Sequence, residues 1–165
     1  RAMASALATA FATSSPNATL PVTMRCVEEN AGVSNKIAGF VLPMGATVNM
    51  DGTSVYQVMA LVFLISLFGE TVGVTVTLGT LGSVALLVVL YSVGTPGVPG
   101  GSVKVIQDVL AMFGIPPEVI SIILPMDRLL DMSRSAVNVS GDLFTASLTD
   151  KLCRGTEHVG DSETP

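Results

Sequence analysis

The segment MDRLLDMSRSAVNVSGD, residues 126–142, carries Asp127, Asp131, Arg134, Asn138 and Asp142 at steps of 4, 3, 4 and 4. At about 100° per residue, those steps confine all five side chains to a helical arc of roughly 80°. They form one polar stripe on an otherwise apolar helix. At 1.5 Å per residue the stripe runs about 22 Å, most of a hydrocarbon layer about 30 Å thick. The plain alternative is a solvated face of a soluble helix, but the opposite face and the neighbouring segments are apolar, so these ionisable residues read as a functional site within a membrane. Arg134 offers a planar fork of donors matched to a carboxylate and keeps its proton. Asp131 neutralises that guanidinium or, once another anion occupies it, accepts an ammonium group. An amino acid with a side-chain carboxylate satisfies both charges and leaves Asn138 for its α-carboxylate.

Three carboxylates against one guanidinium leave the stripe short of positive charge, and Asp142 has no basic residue within a turn. The stretch TVNMDGTSV, residues 47–55, raises the same question, because between positions 37 and 103 only Asp51 and Glu70 are ionisable. Each lone aspartate must be protonated, paired with a distant Lys or Arg, or paired with a metal cation. Carbonyls freed within GATVNMDG (45–52) and SVGT (92–95), together with both Asp side chains and Asn138, are hard oxygen donors. Such donors suit a hard cation rather than zinc or copper. A proton-coupled version of the site is the closest competitor. An enzyme is disfavoured, since no nucleophile–base pair is found.

The elements that position these groups are apolar blocks broken by Pro, Gly and small polar residues. The block 2–12 runs into TSSPNATLP (13–21), where Pro16 and Asn17 end one helix and suit the start of another. The block 37–68 is too long for one plain span and too interrupted, by Pro43, Gly45 and NMDG, for one straight helix. The blocks 76–93 and 103–113 flank GTPGVPGGS (94–102), where four glycines and two prolines in nine residues exclude regular helix. Short apolar blocks around such tips read as helical hairpins that enter the membrane and turn back. Irregular backbone at that depth persists only where it is buried in protein or lines a wet cavity. The expected fold is an all-α membrane protein with two re-entrant hairpins (1–30 and 76–113), a broken transmembrane helix (37–68), a long C-terminal transmembrane helix (118–150) and a polar tail (151–165).

Composition agrees with that class. Mean hydropathy is +0.65 and only 13% of residues are charged, against roughly a quarter in soluble domains. No basic patch suits nucleic acid, and Cys26 and Cys153 have neither a metal-ligand spacing nor a disulfide framework. Arg25, Lys36, Lys151 and Arg154 fall on one side of the expected topology, whereas the opposite loops 69–75 and 114–118 hold no Lys or Arg. That side, with the C-terminus, is therefore expected to be cytoplasmic in a multi-pass protein of the cell membrane. The sequons NAT (17–19) and NVS (138–140) fall on a buried tip and on the polar stripe, so glycosylation is not expected. The chain begins as if inside a helix, without a signal-peptide pattern, which suggests a fragment of a longer protein.

The segments TLPVTMRC, LPMGATVNMDGT, GTPGVPGGS and DRLLDMSRSAVNVSGD resemble the sodium-coupled dicarboxylate and amino-acid symporters of the glutamate transporter family. The resemblance covers residues 2–150 and matches only the C-terminal part of such a transporter, half of an inverted-repeat architecture. It implies an elevator-like transport domain that carries aspartate or glutamate with Na+ as coupling ion. It also implies a trimer in the full-length protein and earlier helices of the same transporter that this chain lacks. Arg134 and the Thr53 hydroxyl would hold the side-chain carboxylate, Asp131 the amino group and Asn138 the α-carboxylate. Backbone groups of Ser14 and Val98 would close the two tips, with Ser102 and Ser135 completing the substrate lining.

One sodium would take carbonyls of Gly45, Asn49 and Asn138 with the Asp142 carboxylate, and a second carbonyls of Thr47, Met50, Ser92, Val93 and Thr95. Asp51 and the Asn49 side chain would belong to a third, completed by an earlier helix. Pro16 stands where the family has a serine for the α-carboxylate, so Ser15 or Asn17 is the expected substitute. Members that carry neutral amino acids usually lack the arginine, so Arg134 favours an acidic substrate. The alternatives kept open are a proton- or sodium-coupled C4-dicarboxylate symporter and an ion-conducting membrane subunit without coupled cycling.

Overall fold

The computed structural model describes residues 3–93 and 97–160, with side chains to residue 154. All regular structure among the described residues is helical: α1 (Ala4–Thr13), α2 (Pro16–Ala31), α3 (Asn35–Val48), α4 (Asp51–Phe68), α5 (Leu78–Ser92), α6 (Gly101–Met112) and α7 (Leu124–Gly160), with 3₁₀ turns at Gly69–Val72 and Pro117–Ile122. The long C-terminal helix is thus entered through a 3₁₀ turn and starts at Leu124 rather than 118. It also continues through part of the polar tail, to Gly160.

The first hairpin turns within two residues. Ser14 closes α1 in the left-handed region (φ 51°) and donates its N–H to the Ala10 carbonyl, while Ser15 caps α2 by accepting the Ala18 N–H. Pro16 follows at the first helical position, where its missing N–H costs nothing and its fixed φ favours the helix. α1 packs on α2, and α5 packs on α6.

The break in the long apolar block falls at Asn49 and Met50, between α3 and α4. A helix that starts inside apolar surroundings must satisfy its first N–H groups. α4 does so through another helix: Asn138 Oδ1 on α7 accepts the N–H of Gly52 at 2.8 Å and of Thr53 at 3.3 Å.

Two apolar clusters flank this break. Ala6, Ala10, Val27, Leu42, Val139 and Leu143 join the first hairpin and α3 to the C-terminal half of α7. Leu61, Leu64, Val88, Ile106, Leu110 and Ile120 join α4 to the second hairpin. Large apolar side chains also point outward, among them Phe40, Met59, Leu78 and Phe144, each more than 60% exposed. Such a surface is unsuited to water and suited to lipid or to further apolar helices. The helical run Asn35–Val72 is long and apolar enough to cross a membrane, whereas Ala4–Thr13 and Leu78–Ser92 are shorter apolar helices, the lengths expected of half-spanning arms.

The connection between α2 and α3 is strapped to the end of α7. Asp150 accepts the Ser34 N–H at 2.9 Å and pairs with Arg154 Nε at 2.7 Å, and Arg154 Nη2 donates to the Gly32 carbonyl. Replacing Asp150 by Ala leaves the Ser34 N–H without its acceptor. The expected cost is about 1–2 kcal/mol, read as a fall of a few degrees in Tm in the detergent-solubilised full-length protein. An unchanged Tm shows that the strap does not contribute.

Candidate functional site

The polar stripe of α7 faces the break in the long helix and both hairpin tips. Arg134 is 4% exposed, and its guanidinium is held on three sides. Nε donates to Asp131 Oδ1 at 3.0 Å, Nη1 donates to Asp127 Oδ1 at 3.1 Å, and the Tyr56 ring lies 4.1 Å from Cζ. The Tyr56 hydroxyl donates to the same Asp127 oxygen at 2.8 Å, which fixes that carboxylate on the arginine. The remaining nitrogen, Nη2, is buried without a hydrogen-bond partner among the described residues. Leaving a charged donor unpaired in apolar surroundings is costly, so this nitrogen points to an anion.

It borders a cavity of about 20 Å³ lined by Ser14, Pro16, Met50, Thr53, Gly97, Val98, Ser102, Asp131, Arg134, Ser135 and Asn138. The hydroxyls of Ser14 and Ser102, one from each hairpin, are likewise buried without partners. The space is little more than one water needs, and the tips close it. Gly100 donates its N–H to Asp131 Oδ2 at 3.1 Å, the Ser15 hydroxyl donates to the Gly97 carbonyl at 2.7 Å, and the Asn17 N–H approaches that carbonyl at 3.4 Å. A larger ligand needs more room than the closed tips leave, and withdrawal of the second tip would free one oxygen of Asp131.

Asn138 faces both ways along the stripe. Its Oδ1 caps α4, and its Nδ2 donates to Thr53 Oγ1 at 2.9 Å and lies 3.4 Å from the Met50 sulfur. One turn further, Asp142 Oδ1 accepts from Asn49 Nδ2 at 3.0 Å. The backbone comes unusually close here. A Cβ added at Gly45 would stand 2.3 Å from Asp142 Oδ1, and one at Gly141 would stand 2.7 Å from Asn49 Nδ2 and 3.0 Å from Asp51 Oδ2. Neither Asp51 nor Asp142 makes an ion pair among the described residues, and no cluster of three or more His, Cys, Asp or Glu side chains occurs there. Carboxylate, amide and carbonyl oxygens gathered around an opened helix fit a hard monovalent cation better than a transition metal.

Of the residues singled out from the sequence for substrate, Ser14, Thr53, Val98, Ser102, Asp131, Arg134, Ser135 and Asn138 border the cavity. Ser15 and Asn17 do not. The Ser15 hydroxyl is committed to the Gly97 carbonyl and to capping α2, and Asn17 is exposed beside the tip. Neither supplies the side-chain contact expected in place of the serine that Pro16 replaces. Among the expected cation ligands, Gly45, Asn49, Asp51 and Asp142 converge. For Thr47, Met50, Ser92 and Val93 the expected ligand is the main-chain carbonyl, which their side-chain placement leaves untouched; the Met50 sulfur lies near Thr53 and Asn138. Thr47 is exposed with its hydroxyl on the Met44 carbonyl, Ser92 bonds the Val89 carbonyl, Val93 is exposed, and Thr95 lies outside the described residues.

Sequence reasoning missed Tyr56, and it placed Asp127 on the stripe without a role. It also missed Gln57, fully buried one turn beyond Thr53 with both amide atoms unpartnered among the described residues. Tyr56 had one available signal, its place three residues after Thr53 on the same helix.

A closed polar chamber between two helical hairpin tips, with a broken helix and a buried arginine as its walls, defines the binding core of a membrane transporter. The chain belongs to the sodium:dicarboxylate symporter family, whose profile matches residues 1–152. It is 42% identical over 152 residues to excitatory amino acid transporter 3 of Homo sapiens, an alignment that covers 92% of this chain and 28% of that protein. It is 39% identical over 155 residues to excitatory amino acid transporter 2 of Homo sapiens, covering 94% and 26%. Neutral amino acid transporter A of Homo sapiens is 40% identical over 156 residues, covering 94% and 29%. The chain therefore spans less than a third of the length of these relatives.

Proposed function

We propose that this chain forms the substrate- and cation-binding half of the transport domain of a sodium-coupled symporter for an acidic amino acid. The observation that carries this reading is the unpartnered Nη2 of Arg134, which shares one small cavity with the free hydroxyls of Ser14 and Ser102. A substrate carboxylate supplies the acceptor that these three donors lack. When the second tip lifts, Asp131 Oδ2 loses the Gly100 N–H, and a substrate ammonium is the natural replacement. The requirement for both an anion and an ammonium separates an amino acid from a plain C4-dicarboxylate, the second reading, which the family's description keeps in view.

Sodium is the coupling ion in this reading, and when bound it supplies the positive charge that Asp142 does not receive from the chain. Gly45, Asn49, Asn138 and Asp142 would hold it beside the substrate, so one opened helix serves both ligands. Asp51 also borders an apolar groove of about 790 Å³, lined by residues such as Val55, Met59, Phe63, Met126 and Val137. Earlier helices of the same transporter would cover it, in a full-length protein that forms a trimer and keeps its C-terminus in the cytoplasm.

Two measurements test the reading. Calorimetry of the full-length protein with aspartate and with succinate, each with and without sodium, is expected to show tight binding of aspartate only with sodium. Equal binding of both ligands in sodium-free buffer overturns it. Asp142→Asn removes one formal charge from the cation ligands and is expected to raise the sodium concentration for half-maximal aspartate binding about tenfold or more. Indifference to sodium in wild type and variant alike favours proton coupling.

A further inference from the structure

The two arms of the second hairpin have unlike outer faces. On α5 the outward residues are apolar, Leu86, Val89 and Leu90 among them, whereas α6 buries Ser102, Val105, Ile106, Val109 and Leu110 and turns Lys104, Gln107 and Asp108 to the opposite side. Lys104 Nζ pairs with Asp108 at 2.5 Å, and its side chain is 75% exposed. Helix energetics do not call for that lysine. It sits near the positive start of α6, which repels a cation, and Lys before Asp is the weaker order for an i,i+4 pair. A charged face on a hairpin within a membrane belongs against water, so α6 is the wet arm and α5 the apolar one.

On α7, Arg128 is exposed and forms no ion pair among the described residues. It lies seven residues before Ser135, within about 20° of it around the helix, and so shares the face that lines the cavity. Lys104 and Arg128 also share a level. Gly100 meets Asp131, α6 runs from there to the 3₁₀ turn Pro117–Ile122, and α7 returns from that turn. Four residues along α6 and three back along α7 place the two cations about 4–6 Å beyond the Gly100–Asp131 contact. Neither lines the closed cavity. The carboxylates on this side, Asp108 and Glu118, lie further from the tip, so the positive end is the one nearest the Gly100–Asp131 contact.

We propose that Lys104 and Arg128 form a cationic rim outside the closed cavity that steers acidic substrates toward it. Their charges act on the approach and not on the bound ligand. Across about 10 Å of water, one unit charge changes the local concentration of a monoanion about twofold, and low-dielectric walls that focus the field raise that factor. An acidic amino acid therefore associates faster, a neutral one gains nothing from the rim, and dissociation is unaffected. Asp108 opposes Lys104 and tempers the effect. The inference rests on the reading of the cavity as an acidic amino-acid site.

The test is rapid-mixing kinetics of aspartate binding to the full-length transporter, with sodium held constant and ionic strength raised with choline chloride. Lys104→Gln and Arg128→Gln are each expected to slow association about two- to fivefold at low ionic strength, and the double variant about tenfold, with dissociation unchanged. The loss is expected to vanish at high ionic strength, where exposed charges are screened. Asp108→Asn is expected to speed association about twofold, a gain that a folding defect cannot produce. Association of the double variant within about 1.5-fold of wild type at low ionic strength overturns the proposal. A loss that persists undiminished at high salt, or that appears as faster dissociation, overturns it as well, assigning the two residues to packing. Should the double variant not fold, an Asp108→Asn rate no higher than wild type overturns it. If the wild-type protein itself fails to bind aspartate, the reading of the whole site falls, and this inference with it.

Discussion

Replacing Arg134 by Cys is expected to abolish the proposed uptake of acidic amino acids by the full-length protein, with a loss of about a thousandfold or more. Three effects add in the same direction. The ligand carboxylate loses its cationic donor, a charge-assisted contact roughly twice as strong as a neutral one. Asp127 and Asp131, which sit 3.1 Å and 3.0 Å from the guanidinium, become buried carboxylates without a cation. Breaking a buried pair in this way typically costs about 3–5 kcal/mol. The Tyr56 ring also loses the cation stacked on it at 4.1 Å. An acidic ligand would then bring further negative charge into a site already in excess. A small neutral amino acid would not, and Asp131 can still accept its ammonium, so uptake of alanine or serine is expected to rise as that of aspartate vanishes. Radiolabelled uptake in proteoliposomes checks both halves, with reconstituted protein quantified. Aspartate uptake that survives the substitution rules out Arg134 as the carboxylate reader.

Gly52→Ala acts without touching a charge. An added Cβ would stand 2.7 Å from the Arg134 carbonyl oxygen, 2.9 Å from Val137 Cβ and 3.1 Å from Arg134 Cα. Two of these neighbours are backbone atoms of α7, so the clash is relieved only by pushing α4 and α7 apart. That displacement pulls the N–H groups of Gly52 and Thr53 off Asn138 Oδ1 and strands helix-start donors in an apolar interior. Overpacking of about 1–3 kcal/mol and a comparable cost for the stranded groups together predict a fall in Tm of about 10 °C. The proposed aspartate binding is expected to be lost as well, because Thr53, Asn138 and Arg134 would no longer share one cavity. Gly39→Ala is the control: nothing lies within 4 Å of its added Cβ, so stability and binding are expected to stay at wild type. Thermal unfolding in detergent beside calorimetry reads both. Wild-type behaviour of Gly52→Ala refutes the close approach of the two helices as a requirement.

The helical period is a local property, and what depends on it was legible in the sequence. Steps of 4, 3, 4 and 4 put Asp127, Asp131, Arg134, Asn138 and Asp142 on one face of one helix, and Pro16, the glycines of 94–102 and NMDG marked where chains of helical hydrogen bonds stop. From those facts alone came two hairpins, a broken helix and a shared polar site.

Which atoms of that face remain free was decided by tertiary structure. Asn138 borders the cavity where a ligand was expected, but its Oδ1 is held by the first turn of α4, 86 residues away, so only the Nδ2 end of its amide can face substrate. Ser15 was the expected stand-in for a missing hydroxyl, yet it donates to Gly97, 82 residues away on the other tip. Tyr56 and Asp127 acquire roles only because α4 lies against α7. A side chain's free donors are what remains after every partner brought across by packing has taken its share. No spacing along the chain records that remainder, because each subtraction depends on an element distant in sequence and close in space.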